Sequence, residues 1–342
     1  MPSLLGRTAQ TARFLATSPV LTAKTGQSPH TVAYRMGKSA LRYFPPADAA
    51  PQRRPIFISM PLINTWTIFD LLPGRSVVAK LNAAGFPVYL LDWGRPGDED
   101  AERPMSYYVD EVLGRMIDRA KRHARSHHDT DELDAIGYCV GGTFLSIHLA
   151  RHPGQVKRVA FVATPIDFHR SERLARWANP ESFPLDTLID SVGNYPKDLM
   201  STSFSWLKPS TNTAKWVGLW ERIDVDGFPE LWAALEQWNG DAVDFPGETY
   251  REYVQRCYLD NALMTGGWVM ATAPVDLSKA VAPALVIGAS RDHIAPPAAC
   301  GGLEQVWGGE CRVETIRGGH VGICVGNTLP RTLIDWFASE EA

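Results

Sequence analysis

The sequence predicts an α/β protein with a mostly parallel central sheet flanked by helices and one mainly helical cap inserted after the sixth strand. Three observations carry this. Short apolar runs bounded by turn residues alternate with helix-length amphipathic stretches. The alternation breaks over residues 170–268 and then resumes. Between the break and the N-terminus lies a Gly-rich stretch, I-G-Y-C-V-G-G-T from Ile136 to Thr143, where a strand pattern passes directly into a helix pattern.

The elements follow in order. Residues 1–50 read as an N-terminal lead without a core of its own, ending at Y-F-P-P-A-D-A-A-P. Its start has few acids and some Arg, as transit peptides do, but lacks the apolar stretch of a secretory signal, so no targeting segment is expected. The core is expected over 51–169 and 269–342. Buried strands are read at Pro55–Met60, Phe86–Asp92, Leu133–Tyr138 and Val159–Ala163, with a helix over Val109–Ser126 among the connections. Strand signals return at Ala284–Gly288 and Arg312–Ile316. The cap, 170–268, holds seven of the eleven tryptophans: Trp177, Trp206, Trp216, Trp220, Trp232, Trp238 and Trp268. They serve either as the cap's own core or, in part, as the lining of an apolar channel over the site.

Composition excludes several function classes. A net charge of −4, with no Lys/Arg run longer than a pair, argues against a nucleic-acid partner. No apolar run reaches the roughly 18 residues of a membrane span. The five cysteines show no C-x-x-C spacing, so neither a metal site nor a disulfide framework is expected. A reducing cytoplasm suits a free thiol.

The strand-to-helix stretch has the form of a nucleophile elbow, G-x-S-x-G, with Cys139 in the serine position. Gly137 and Gly141 let the helix approach the strand, and Gly142 is expected to leave room for a substrate carbonyl. The Val140 amide, at the helix N-terminus, is a natural oxyanion donor. In an α/β-hydrolase fold the triad runs nucleophile, acid, base. Asp292 follows the strand A-L-V-I-G, and His320 sits in R-G-G-H-V-G past the last strand, so both reach the sheet edge where Cys139 emerges. Asp167, past V-A-F-V-A, is a rival acid. Asp92 is expected to make a structural hydrogen bond in its turn. His127 and His128 are read as exposed loop residues, His148 and His152 as packing or surface residues on the elbow helix. His293 either contacts substrate or stabilises its loop. The second oxyanion donor is expected from P-L-I-N-T-W, with the amide of Ile63 donating and Asn64 buttressing the loop.

Cysteine alters the chemistry. A serine attacking a thioester leaves an oxoester, whereas cysteine leaves another thioester that keeps its acyl-transfer potential. Acyl transfer is therefore favoured over hydrolysis.

G-Y-C-V-G-G-T, R-D-H-I-A-P-P and G-G-H-V-G together resemble the polyhydroxyalkanoate synthases. So do P-L-I-N-T-W-T-I-F-D-L-L-P-G-R-S-V-V, V-Y-L-L-D-W-G-R-P, V-A-T-P-I-D-F-H, L-M-S-T-S-F-S-W-L-K-P and N-A-L-M-T-G-G-W, covering roughly residues 25–337. The short lead resembles the two-component synthases, class III with class IV close behind. The resemblance implies (R)-3-hydroxyacyl-CoA thioesters as substrates, Cys139 carrying the acyl group or growing polyester, and His320 deprotonating it. Asp292 would orient His320 or help activate the incoming 3-hydroxyl. It implies no cofactor beyond the CoA thioester, a homodimer, a non-catalytic synthase subunit, and a cytoplasmic enzyme at the surface of polymer granules. A cysteine-dependent acyl-CoA thioesterase or polyester depolymerase of the same fold is the alternative, and single acyl transfer a variant of the first reading.

Overall fold

The computed structural model describes residues 4–17, 19–178, 183–207 and 210–339. Among the described residues ten strands form, and eight of them build one sheet. In chain order these are β1 (Thr31–Met36), β2 (Ser39–Phe44), β3 (Ile56–Ser59), β4 (Val88–Asp92), β5 (Asp134–Tyr138), β6 (Val159–Val162), the short β7 (Val269–Met270) and β8 (Ala273–Pro274), then β9 (Ala284–Ala289) and β10 (Cys311–Ile316). The large sheet runs β1-β2-β4-β3-β5-β6-β9-β10, and β7 pairs only with β8.

Within the large sheet, from β4 across to β10, every pairing is parallel, with Ile58 opposite both Leu90 and Ile136, and Ala160 opposite Leu285. Strands in such a sheet are covered on both faces, which is why they read as continuous apolar runs. Every residue of β3, β5, β6 and β9 is buried. The covering helices pack in pairs, Leu113–His128 with Val140–Arg151 and Val77–Ala83 with Thr328–Ala338. The helix read from Val109 begins in a π-helical turn, Tyr107–Val112, and continues to His128.

Part of the N-terminal lead belongs to the central sheet. Residues 31–44 are a hairpin that extends the sheet, turning at Gly37, whose φ of 56° suits glycine. β2 runs antiparallel beside β4, and Leu41 and Phe44 are fully buried. Arg42 grips Asp92 with two hydrogen bonds of 3.0 and 2.8 Å and lies over the Trp66 ring, 4.6 Å from its centroid. Earlier still, Phe14 packs edge-on against Trp232, tying the first helix, Leu4–Ala16, to the helical insertion.

Between β6 and β7 the described residues are mainly helical, with helices that include Leu185–Val192, Lys197–Leu207, Phe228–Gly240 and Gly247–Tyr253. Arg251 bridges Asp186, Asp190 and Glu248, and Tyr195 stacks on Tyr250 at 4.1 Å. The tryptophans divide. Trp232, Trp238 and Trp268 are buried, while Trp206 and Trp216 are exposed. The side chain of Trp177 lies outside the described residues.

Candidate active site

β5 ends at Tyr138 and the helix Val140–Arg151 starts one residue later, leaving Cys139 as the single connecting residue. Its backbone is forced to φ 51° and ψ −132°, a region that costs an L-residue on the order of 1–3 kcal/mol. Neighbouring contacts hold it there. The Cys139 amide donates to Val162 O at 3.0 Å, and its carbonyl accepts from the amides of Gly142 at 2.9 Å and Thr143 at 3.2 Å.

The glycines around it are required by space. A Cβ on Gly137 would fall 2.5 Å from the Gly142 Cα, and one on Gly141 would fall 2.2 Å from the Met60 carbonyl oxygen. The third glycine differs from expectation. A Cβ on Gly142 would meet Thr164 Oγ1 at 2.0 Å, so the room it leaves is filled by Thr164 from the loop after β6 and not by substrate. Because Met60 and Ser59 are backbone neighbours that cannot swing aside, Gly141→Ala is expected to destabilise the fold by roughly 1–3 kcal/mol. A fall in the urea midpoint with an unchanged m-value would register it.

The structure brings the predicted triad together. Asp292, just past β9, is buried, and its Oδ1 accepts from the amides of Ile294 at 2.8 Å and Ala295 at 2.9 Å. Its Oδ2 lies 2.6 Å from His320 Nδ1. The Cys139 sulfur acts on the same ring. Burial alone would lower the His320 pKa, but the Cys139 sulfur and the Asp292 carboxylate outweigh it and raise the value to about 10. The imidazole therefore favours its protonated form at neutral pH. The folded value exceeds the ordinary 6.5, so the stability this ring contributes is complete below pH 6.5 and is lost as pH rises toward 10.

The other candidates separate. Asp167 is occupied by Asn261 Nδ2 at 3.0 Å and by Arg170. Asp92 accepts from the Gly94 amide at 3.0 Å, as its turn requires. His127 and His128 end a helix instead of lying in a loop, and His128 bonds the Tyr43 hydroxyl at 2.8 Å. His293 is exposed and makes no hydrogen bond among the described residues. The Val140 amide stands in the first turn of its helix, where amides lack an intrahelical acceptor.

Ile63 is buried in the loop after β3, which begins at the Met60 carbonyl that Gly141 touches. Asn64 makes no side-chain hydrogen bond among the described residues, so the loop is buttressed by other groups. Val243 N donates to Ile63 O at 3.0 Å, the Trp238 indole to Thr65 O at 2.9 Å, and the Trp93 indole to Met60 O at 2.6 Å. Two of these come from the helical insertion, so its position and the shape of this loop are linked.

Several site residues were not legible in the sequence. Tyr138 reaches the His320 carbonyl at 3.3 Å and its ring lies 5.5 Å from the imidazole. Tyr253 and Tyr258, from the insertion, form an aromatic cluster with Phe168. Burial above all pushes the phenols of all three tyrosines up, so they remain protonated hydrogen-bond donors. Under this cover only 8% of Cys139 is exposed.

Residues 70–326 match the family model for the alpha/beta hydrolase fold. A solved monoacylglycerol lipase from Paleococcus ferrophilus has the same fold, with a TM-score of 0.51 at 14% identity over 84% of this chain and 96% of that one. Sequence decides the family within the fold. The PhaC subunit of poly(3-hydroxyalkanoate) polymerase from Allochromatium vinosum is 32% identical over 88% of this chain and 84% of its own length. The chain belongs to the poly(3-hydroxyalkanoate) polymerase family. A second family member, PhaC of Haloferax mediterranei, is 32% identical over 92% of this chain, which spans 64% of that relative's length. Membership in the polymerase family agrees with the cysteine elbow from which the resemblance was first drawn.

Proposed function

We propose that the chain is a polyester synthase that moves (R)-3-hydroxyacyl groups from CoA thioesters onto a growing polyhydroxyalkanoate through a thioester on Cys139. The observation that carries this reading is a cysteine at the elbow, acting on a histidine that Asp292 holds at 2.6 Å, in a chain of the polymerase family.

The Cys139 thiolate attacks the acyl-CoA carbonyl, forming the new C–S bond. The negative charge that develops on the carbonyl oxygen is met by the Val140 amide and, from the loop after β3, the Ile63 amide. When the C–S bond to CoA breaks, the leaving thiolate takes the proton of the His320 imidazolium. The neutral imidazole then accepts the proton of the attacking 3-hydroxyl as the ester bond forms, and Cys139 leaves as thiolate. The sum is one thioester and one hydroxyl converted to one ester and free CoA. No cofactor beyond the thioester enters this sequence, and Asp292 orients the ring and stabilises its charged form throughout.

The same reading takes the chain to act as a homodimer, with a non-catalytic synthase subunit, at the surface of polymer granules. No helix among the described residues is long and apolar enough to cross a membrane. Incubation with (R)-3-hydroxybutyryl-CoA should release CoA together with insoluble polymer. Stoichiometric conversion to the free hydroxy acid would instead make the protein a thioesterase.

A further inference from the structure

A second cluster of chemistry-bearing side chains lies two turns along the elbow helix, where the mechanism uses nothing. His148, His152 and Asp110 present one ligand atom each within 4.8 Å of one another. His148 lies in the last turn of the elbow helix and His152 caps it, their rings 4.6 Å apart, and Asp110 comes from the π-helical turn packed against the helix.

His148 carries the argument. It is only 2% exposed, and its Nδ1 lies 2.7 Å from the Val109 carbonyl, which fixes Nδ1 as the protonated nitrogen. Nε2 is then a bare lone pair, buried and without a hydrogen-bond partner. A backbone carbonyl on one ring nitrogen and an unpaired lone pair on the other is the arrangement of a metal-ligating histidine.

Asp110 is held for the same role. Arg151 donates Nε and Nη2 to its two oxygens at 2.9 Å each, leaving further lone pairs on both. His152 is exposed and already approaches Asp110 Oδ1 at 3.4 Å. The nearby guanidinium opposes a cation, while the negative end of the helix Val140–Arg151, at this same turn, favours one. Bonds of about 2.1 Å place tetrahedral donors about 3.4 Å apart, so modest rotation of the exposed ring and the carboxylate closes the set.

We propose that His148, His152 and Asp110 bind one divalent transition-metal ion of zinc type, which pins the elbow helix to the turn Tyr107–Val112. The absence of cysteine spacing, which argued against a zinc site in the sequence, has no bearing on a set of two imidazoles and a carboxylate.

The test uses the full chain, stripped with chelator and titrated with zinc chloride, in wild type and in a Cys139→Ala background that removes the catalytic thiol as a competing ligand. Bound zinc is counted after dialysis, and thermal unfolding is followed with and without the ion. One zinc per chain is expected, with a rise in Tm. His152→Ala, at an exposed position, should weaken binding at least tenfold and abolish the Tm rise, and His148→Gln should do the same if it folds. Zinc retained undiminished in His152→Ala would place the ion elsewhere, for instance on the stacked pair His123 and His127, and overturn the proposal. No binding up to on the order of 1 mM zinc would overturn it equally.

Discussion

Cys139→Ala is expected to lower CoA release by on the order of 10⁴-fold or more while leaving the fold intact, because removing a nucleophile that acts as one unit with its base abolishes the covalent route. Alanine at this position keeps the same unfavourable φ of 51°, so no new strain enters. The sharper comparison is Cys139→Ser. A hydroxyl in the same place still has His320 beside it, yet it is a weaker nucleophile and forms an oxoester that is a poor acyl donor. A burst of CoA release followed by near-arrest is expected, with polymer yield down by about 10³-fold or more. Equal polymerisation rates for the two proteins would remove the thioester argument.

Asp292→Asn should cost on the order of 10⁴-fold in kcat, the scale seen when the orienting carboxylate of a triad is neutralised without changing its shape. The amide can still accept from Ile294 and Ala295, so the loop should hold. The effect is also predicted in the pH profile. His320 is raised to about 10 by Cys139 and Asp292 together, against burial that lowers it. Without the carboxylate its pKa falls, the imidazolium is lost at lower pH, and the alkaline limb of kcat/KM moves toward acid. An unchanged alkaline limb would show that Asp292 does not hold the charge on the ring.

Much of this was legible because the relevant signals are local. β3, β5, β6 and β9 are buried on both faces, so their apolar runs stand out without a partner being known. Cys139, Asp292 and His320 each follow a strand at the same sheet edge, so chain order sufficed to group them. The hairpin β1–β2 went unread because its strands mix Tyr and Arg with apolar residues, and because Arg42 finds its carboxylate 50 residues away. The alternation around Gly37 was the available signal. Tyr253 and Tyr258 could not be assigned to the site, since only the folding of the helical insertion carries them to Cys139. In the sequence His148, like His152, reads as a packing or surface residue of the elbow helix. It is buried, but its unpaired Nε2 depends on where Val109 and Asp110 sit, which no spacing reveals.

The central claim is that the acyl group rests on the sulfur of Cys139. Mass spectrometry of the Cys139 peptide after brief exposure to (R)-3-hydroxybutyryl-CoA and an acid quench tests it directly. The account predicts a peptide heavier by one hydroxybutyryl unit or its oligomers, labile to hydroxylamine and absent in Cys139→Ala. Steady CoA release and polymer growth with that peptide unmodified at every early time point would contradict it.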